Sequence, residues 1–283
     1  MKKSLFTLTL LAAATVAQAD DLKFHVYNPQ GESMFPVTST IVEGDKEILL
    51  VDAQFQRNDA EKLVKQIQSL NKPLKTIYIS HSDPDYYFGL DVLTQAFPDA
   101  QVIATSETVK AIKGNVIAKV DYWSPLMAEN APKAIVLPKA SEQKSLKVGS
   151  SEIAIKGQDI DPKHIYLWDE ASKTLFGGVR LYQGMHVWLA DTATKQSRQN
   201  WFKQLEQMEK LQPKTVIAGH YLGKSDAEGI AFDKGYLQQT EKALSKAKNS
   251  KQFIAAMEKA YPNLEGKSDL ELGAKVLTGE MKW

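Results

Sequence analysis

Thr76-Ile77-Tyr78-Ile79-Ser80-His81-Ser82-Asp83-Pro84-Asp85-Tyr86-Tyr87-Phe88-Gly89 runs from a short apolar segment straight into an imidazole and two carboxylates. The apolar start reads as a buried strand. The polar cluster then sits where a strand gives way to a loop, which is where α/β proteins place their chemistry. Imidazole and carboxylate both suit a divalent metal. Spacing by two sends His81, Asp83 and Asp85 to one side while the backbone stays extended.

The flanking sequence carries the same alternation of strand and helix. Lys23–Tyr27 and Val37–Val42 alternate apolar and polar residues. Glu47–Asp52 reads as a buried strand ending in an acid. Asn58–Leu70 has helical spacing, with Ala60, Leu63, Val64, Ile67 and Leu70 on one side. A short helix is expected over Tyr87–Phe97 and a strand over Gln101–Ala104. Residues 114–144, interrupted by Pro125, Pro132 and Pro138, are expected to be loop with a few short elements. Hairpins follow around Gly149-Ser150-Ser151 and around Asp169–Ser172. A helix is predicted over Ser197–Leu211, a strand over Thr215–Ala218, and helices from Asp226 onward. Two sheets packed between helices, in one domain over residues 20–283, satisfy this order.

The N-terminus is expected to be separate. Lys2 and Lys3 precede an apolar segment, Leu5–Val16, and the small-residue sequence Ala17-Gln18-Ala19. This reads as a cleaved signal peptide over residues 1–19, and so as a periplasmic or secreted protein. The apolar segment is short of the about 20 residues a membrane span needs, so no membrane association is expected after cleavage. With 35 basic and 34 acidic residues, no basic surplus points to nucleic acid. There is no cysteine, which excludes thiolate nucleophiles, thiolate metal ligands and disulfides.

Polar or glycine residues recur at the other strand ends: Asp52, Gly157-Gln158, Gly177-Gly178-Val179 and Gly219-His220. In this order, over about residues 35–225, the chain resembles the metallo-β-lactamase-fold hydrolase superfamily. The resemblance implies an αββα sandwich of two mixed sheets covered by helices, with metals at one edge. It matches the family's His-x-His-x-Asp-His motif to His81, Asp83, Asp85 and Tyr86, its first Gly-His to Gly157-Gln158, its Gly-Asp to Gly178-Val179, and its last Gly-His to Gly219-His220. Three ligand types are kept: His81, Asp85 and His220. Val179 stands where the family has its bridging aspartate and offers no donor atom.

The resemblance therefore implies one divalent ion, zinc first and manganese or iron next, held by His81, Asp83, Asp85 and His220. Tyr86, Gln158 and His186 are possible additional ligands. Asp85 would orient a metal-activated water and pass its proton to the leaving group of a small ester, lactone, amide or thioester. The alternative is a non-catalytic binding protein that keeps the fold with a lost or weakened metal site.

Plainer roles compete for several residues. Asp83 could cap the following helix, and Asp191 the helix before Ser197. His186 could make a structural hydrogen bond. His25 and His164, inside strand patterns, read as structural. Tyr86, Tyr87, Tyr122 and Trp123 could line a substrate pocket or simply pack.

Overall fold

The computed structural model describes residues 21–283, so the expected signal peptide lies outside the described residues. The first part of the chain forms β1 (Lys23–Tyr27), β2 (Ser39–Glu43), β3 (Ile48–Val51), α1 (Arg57–Ser69), β4 (Leu74–Ile79), α2 (Pro84–Tyr87), α3 (Leu90–Ala96), β5 (Gln101–Thr105), α4 (Ser106–Met127) and β6 (Lys139–Ser141). The second part forms β7 (Ser145–Val148), β8 (Ser151–Lys156), β9 (Tyr166–Asp169), β10 (Thr174–Phe176), β11 (Tyr182–Gln183), α5 (Lys195–Lys210), β12 (Thr215–Val216) and β13 (His220–Tyr221). Three helices close it: α6 (Glu228–Leu244), α7 (Ser250–Ala260) and α8 (Lys267–Leu277).

The strands form a six-stranded sheet in the order β1-β2-β3-β4-β5-β6 and a five-stranded sheet in the order β12-β10-β9-β8-β7. Both are mixed. In the first, β2 pairs antiparallel with β1 and β3, while β3, β4, β5 and β6 run parallel. In the second, only β10 and β12 are parallel. A small parallel pair, β11 with β13, sits apart and carries His220.

Period-two alternation explains the layering. Val42, Leu49, Val51 and Tyr78 from the first sheet pack with Ile153, Leu167 and Phe176 from the second, forming the core between the sheets. Their strand neighbours Ile41, Ile48, Leu50, Ile77 and Ile79 face the other way, into the core shared with Leu63 and Ile67 of α1. Tyr166, Trp168 and Leu175 meet Trp201, Leu205 and Met208 of α5 in that same core. Each such side chain contributes about 1.5–3 kcal/mol relative to exposure. Burial thus replaces the disulfides the chain lacks.

The structure corrects the reading of residues 114–144. Helix α4 continues to Met127 and takes Pro125 into its last turns. Its inward residues Val109, Ile112, Val116, Val120, Trp123 and Met127 recur every three or four positions and pack on the core. That stripe outweighs Gly114 and the single hydrogen bond lost at Pro125.

Candidate functional site at the edge of the two sheets

Strand β4 ends at Ile79, and Ser80 ties three strand ends together. Its N–H and Oγ–H donate to the two carboxyl oxygens of Asp52, at 2.7 and 2.6 Å. Its Oγ also accepts from the Gly178 N–H at 2.9 Å. Asp52 is therefore a brace between the sheets. Burial lifts its pKa to about 8, and the nearby Asp85 charge adds to this, against the two Ser80 bonds.

The chain beyond Ser80 builds the polar cluster. His81 is buried, and its Nδ1 accepts from the Asp83 N–H at 3.2 Å. Asp83 occupies the N-cap position of α2, but its side chain makes no capping bond. Its Oδ2 lies 3.4 Å from His81 Nδ1, and its Oδ1 lies 3.8 Å from Lys119 Nζ. Pro84 starts α2 with the φ a first turn needs, and that turn presents Asp85 and Tyr86.

Asp85 Oδ2 lies 2.8 Å from His220 Nε2. Tyr86 Oη lies 3.3 Å from His220 Nδ1. Both contacts are satisfied when Nε2 carries the ring proton and the Tyr86 hydroxyl donates to Nδ1. The His220 ring also stacks on Tyr182, with centroids 4.8 Å apart and planes 7° apart. Such close convergence needs glycine at 219, where a Cβ would fall 2.2 Å from the Gly178 carbonyl oxygen and 2.9 Å from Tyr86 Oη.

Behind His81 lies a second cluster. The His164 ring sits 4.9 Å from the His81 ring. His164 Nδ1 meets Asp161 Oδ2 at 2.8 Å, and Arg180 Nη2 donates to the same oxygen at 2.9 Å. Arg180 is 1% exposed, donates from Nε to Gln204 at 3.0 Å, and lays its guanidinium 4.8 Å over the Trp201 ring. Burial lowers its pKa to about 10. Burial alone would raise Asp161, but the His164 bond and the neighbouring positive charges outweigh it and hold the carboxyl at about 2. Burial pushes His81 well below the ordinary imidazole range, and the positive charges around it add to the shift. His164 is lowered as well, by burial first and then by Arg180.

A cleft opens in front of the cluster. Its cavity volume is about 30 Å³, and the recess reaches about 420 Å³ only when space open to solvent is counted. Phe35, Trp123, Tyr182 and Trp188 supply aromatic walls, and Val179 lies among them. Asp83, Asp85, Asp191 and Asp269 supply carboxyls, with Lys119 and His220 beside them. Asp191 accepts from the indole N–H groups of Trp188 at 2.5 Å and Trp283 at 3.0 Å.

His81, Asp83, Asp85, Tyr86 and His220 thus lie at one edge. The other candidates lie elsewhere. Gln158 Oε1 accepts from Lys144 Nζ at 3.1 Å in a separate surface recess. His186 is buried with Nδ1 2.9 Å from Tyr236 Oη. Asp191 is not the cap of α5, because Thr194 Oγ1 accepts from the Ser197 N–H there. Trp123 lines the cleft and Tyr86 joins the cluster, Tyr87 is core, and Tyr122 lies outside against Trp283.

Sequence reasoning missed His164, Arg180 and Asp269. His164 follows Asp161 by three residues, a spacing that could have flagged their pairing. Arg180 adjoins the flagged Val179. Asp269 carries no local signal.

The fold and site define an αββα protein with a polar cluster where its two sheets share an edge. The chain belongs to the metallo-beta-lactamase superfamily, whose family model matches residues 34–220. A metallo-beta-lactamase from Pontibacter korlensis has a similar fold, with a TM-score of 0.50 and 16% identity, covering 77% of this chain and 93% of that one. The structure of TMB-1 is similar as well, with a TM-score of 0.51 and 18% identity, covering 78% of this chain and 98% of that one. The uncharacterized protein YobT of Bacillus subtilis (strain 168) is 28% identical over 103 residues. That match spans 36% of this chain and 44% of YobT, less than half of that relative's length.

The superfamily generally binds divalent metals, usually zinc, and membership suggests a metal-dependent hydrolase. The residues present do not fit that ion. Among the described residues, no group of three or more His, Cys, Asp or Glu side chains could hold a metal, whereas a competent site needs about three protein ligands. Asp85 and His220 converge only as a pair. His81 Nδ1 is engaged by backbone, and Val179 has no donor. Arg180 puts a permanent charge near both His81 and His164, where a second cation would be repelled. Of the expected four ligands, Asp85 pairs with His220 and His81 with Asp83, and the two pairs are not drawn into one coordination set among the described residues. Gln158 and His186, the possible additional ligands, are each held by other partners.

Proposed function

We propose that the protein binds a small molecule in the cleft between Trp123, Trp188 and the Asp85–His220 pair, as a non-catalytic member of its superfamily. One observation carries this reading. The family's active edge is still open as an aromatic-walled recess, while the ligand positions behind it are spent on one another. Pockets of this kind, apolar with a few convergent polar groups, are the usual small-molecule sites. His220 has both ring nitrogens engaged, which leaves it no free base. A leader over residues 1–19 would place the binding outside the cytoplasm, with no membrane or nucleic acid as partner.

Superfamily membership favours a second reading: a metal-dependent hydrolase of a small ester, lactone, amide or thioester. The shared location of His81, Asp85 and His220 supports it. Metal analysis of protein purified without chelator and then soaked in zinc, manganese and iron separates the two. The binding reading expects well under one ion per chain, unchanged in His81→Ala and His220→Ala. One ion per chain, lost in both variants, would overturn it in favour of the hydrolase.

A further inference from the structure

We propose that the cleft selects an organic cation, an ammonium on an apolar body, with its charge set against Asp85 and Asp269. The proposal rests on the binding reading above and names its ligand class.

Asp269 carries the argument. It is 6% exposed and lines the cleft. Its Oδ1 has only a long contact, 3.4 Å, from Ser268 Oγ. Among the described residues no other side-chain hydrogen bond reaches this carboxyl. A mostly buried carboxylate with so few partners is costly unless a positive charge or donor comes to it. Asp85, also lining the cleft, has Oδ2 on His220.

The walls add a second, independent feature. Aromatic faces attract cations, and more strongly when water is excluded. Phe35, Trp123 and Trp188 form a continuous edge-to-face set, with centroids 5.2 and 6.0 Å apart. The rim already holds an ammonium by the same chemistry, since Lys119 Nζ sits 5.1 Å from the Trp283 ring centroid and 3.8 Å from Asp83. Lys119 is outnumbered there by Asp85, Asp191 and Asp269, so an anionic ligand is disfavoured. Asp269 and Trp283 both lie beyond residue 220, where the family match ends. Helix α8 and the segment after it thus add the selectivity to a shared frame.

The test is a charge series on the full chain, read by tryptophan fluorescence and calorimetry. Its probes are benzyltrimethylammonium, benzyl alcohol and benzoate. The cation is expected to bind at least about tenfold more tightly than the alcohol, with benzoate weakest. Asp269→Asn is expected to weaken the cation about tenfold and leave the alcohol within about threefold, the scale of a lost close ion pair. Equal binding of cation and alcohol, or benzoate binding tightest, would overturn the cation assignment and leave the binding reading intact. No response to any probe also overturns the assignment, and the metal analysis then decides the underlying reading separately. The wild-type series needs no variant, so it stands even if Asp269→Asn folds poorly.

Discussion

Arg180 gives this edge its character. Its guanidinium is buried between Asp161, Gln204 and Trp201, and its Nη1 has no hydrogen-bond partner among the described residues. Removing one member of a buried ion pair strands the other charge and costs about 3–5 kcal/mol. Arg180→Leu is therefore expected to lose about 2–3 kcal/mol in urea denaturation, toward the low end because Asp161 keeps its His164 partner. The double variant Arg180→Leu, Asp161→Leu should recover part of that loss, because no charge is left stranded. A double variant no more stable than the single one would show that the pairing is not the cause. The sequence exposed Val179 as the lost bridge, but not that the neighbouring Arg180 carries a buried charge. Nothing in residue type alone shows which of two neighbours faces inward.

At the scale of elements, hydrophobic spacing was the legible quantity. Strands β2 to β4, helix α1 and helix α5 were readable because each buries a regular face. Helix α4 was not, because Pro125 and Gly114 masked a regular stripe. Its start is set by Thr105, whose Oγ1 accepts from the Thr108 N–H at 3.1 Å. Such a cap is worth about 1 kcal/mol. Thr105→Ala should lower stability by about that amount in chemical denaturation, with the cleft residues Lys119 and Trp123 on the same helix unaffected in probe binding. A loss of less than about 0.3 kcal/mol, below the range for caps, would mean that packing alone holds the helix start. Loop 157–165 was the element misjudged for function. Backbone bonds from Asp161 N–H to Gly157 and from His164 N–H to Asp161 fold it back on itself. That fold turns Gln158 outward and lays His164 over His81.

Across the whole molecule, buried carboxyls and imidazoles pull stability in opposite directions with pH. The Asp52 pKa is raised to about 8, and Asp83 and Asp233 are raised as well, in each case by burial first. A carboxyl raised on folding gives stability that is complete below its unfolded pKa, near 4, and is lost as pH climbs through its folded pKa. His81 and His164 are lowered, so their contribution is complete above about 6.5 and lost only on acidification. Between pH 6.5 and 8.5 the carboxyls act alone. The thermal midpoint is expected to fall across that window, and Asp52→Asn should flatten the fall. A midpoint that rises instead would contradict the burial of these ionised groups.

The sequence by itself determined the layered αββα frame, the order of its strand-end loops and the grouping of His81, Asp85 and His220. Alternation and helical spacing report burial directly, and a loop that follows a strand must emerge at the sheet edge. Only the tertiary structure decided what that edge became. Arg180 beside His81, His164 in place of Gln158, and Asp269 from the last helix all depend on contacts between residues far apart in the chain. Side-chain direction in loops is set by the partners that satisfy each buried polar group, and those partners are known only once the layers have packed.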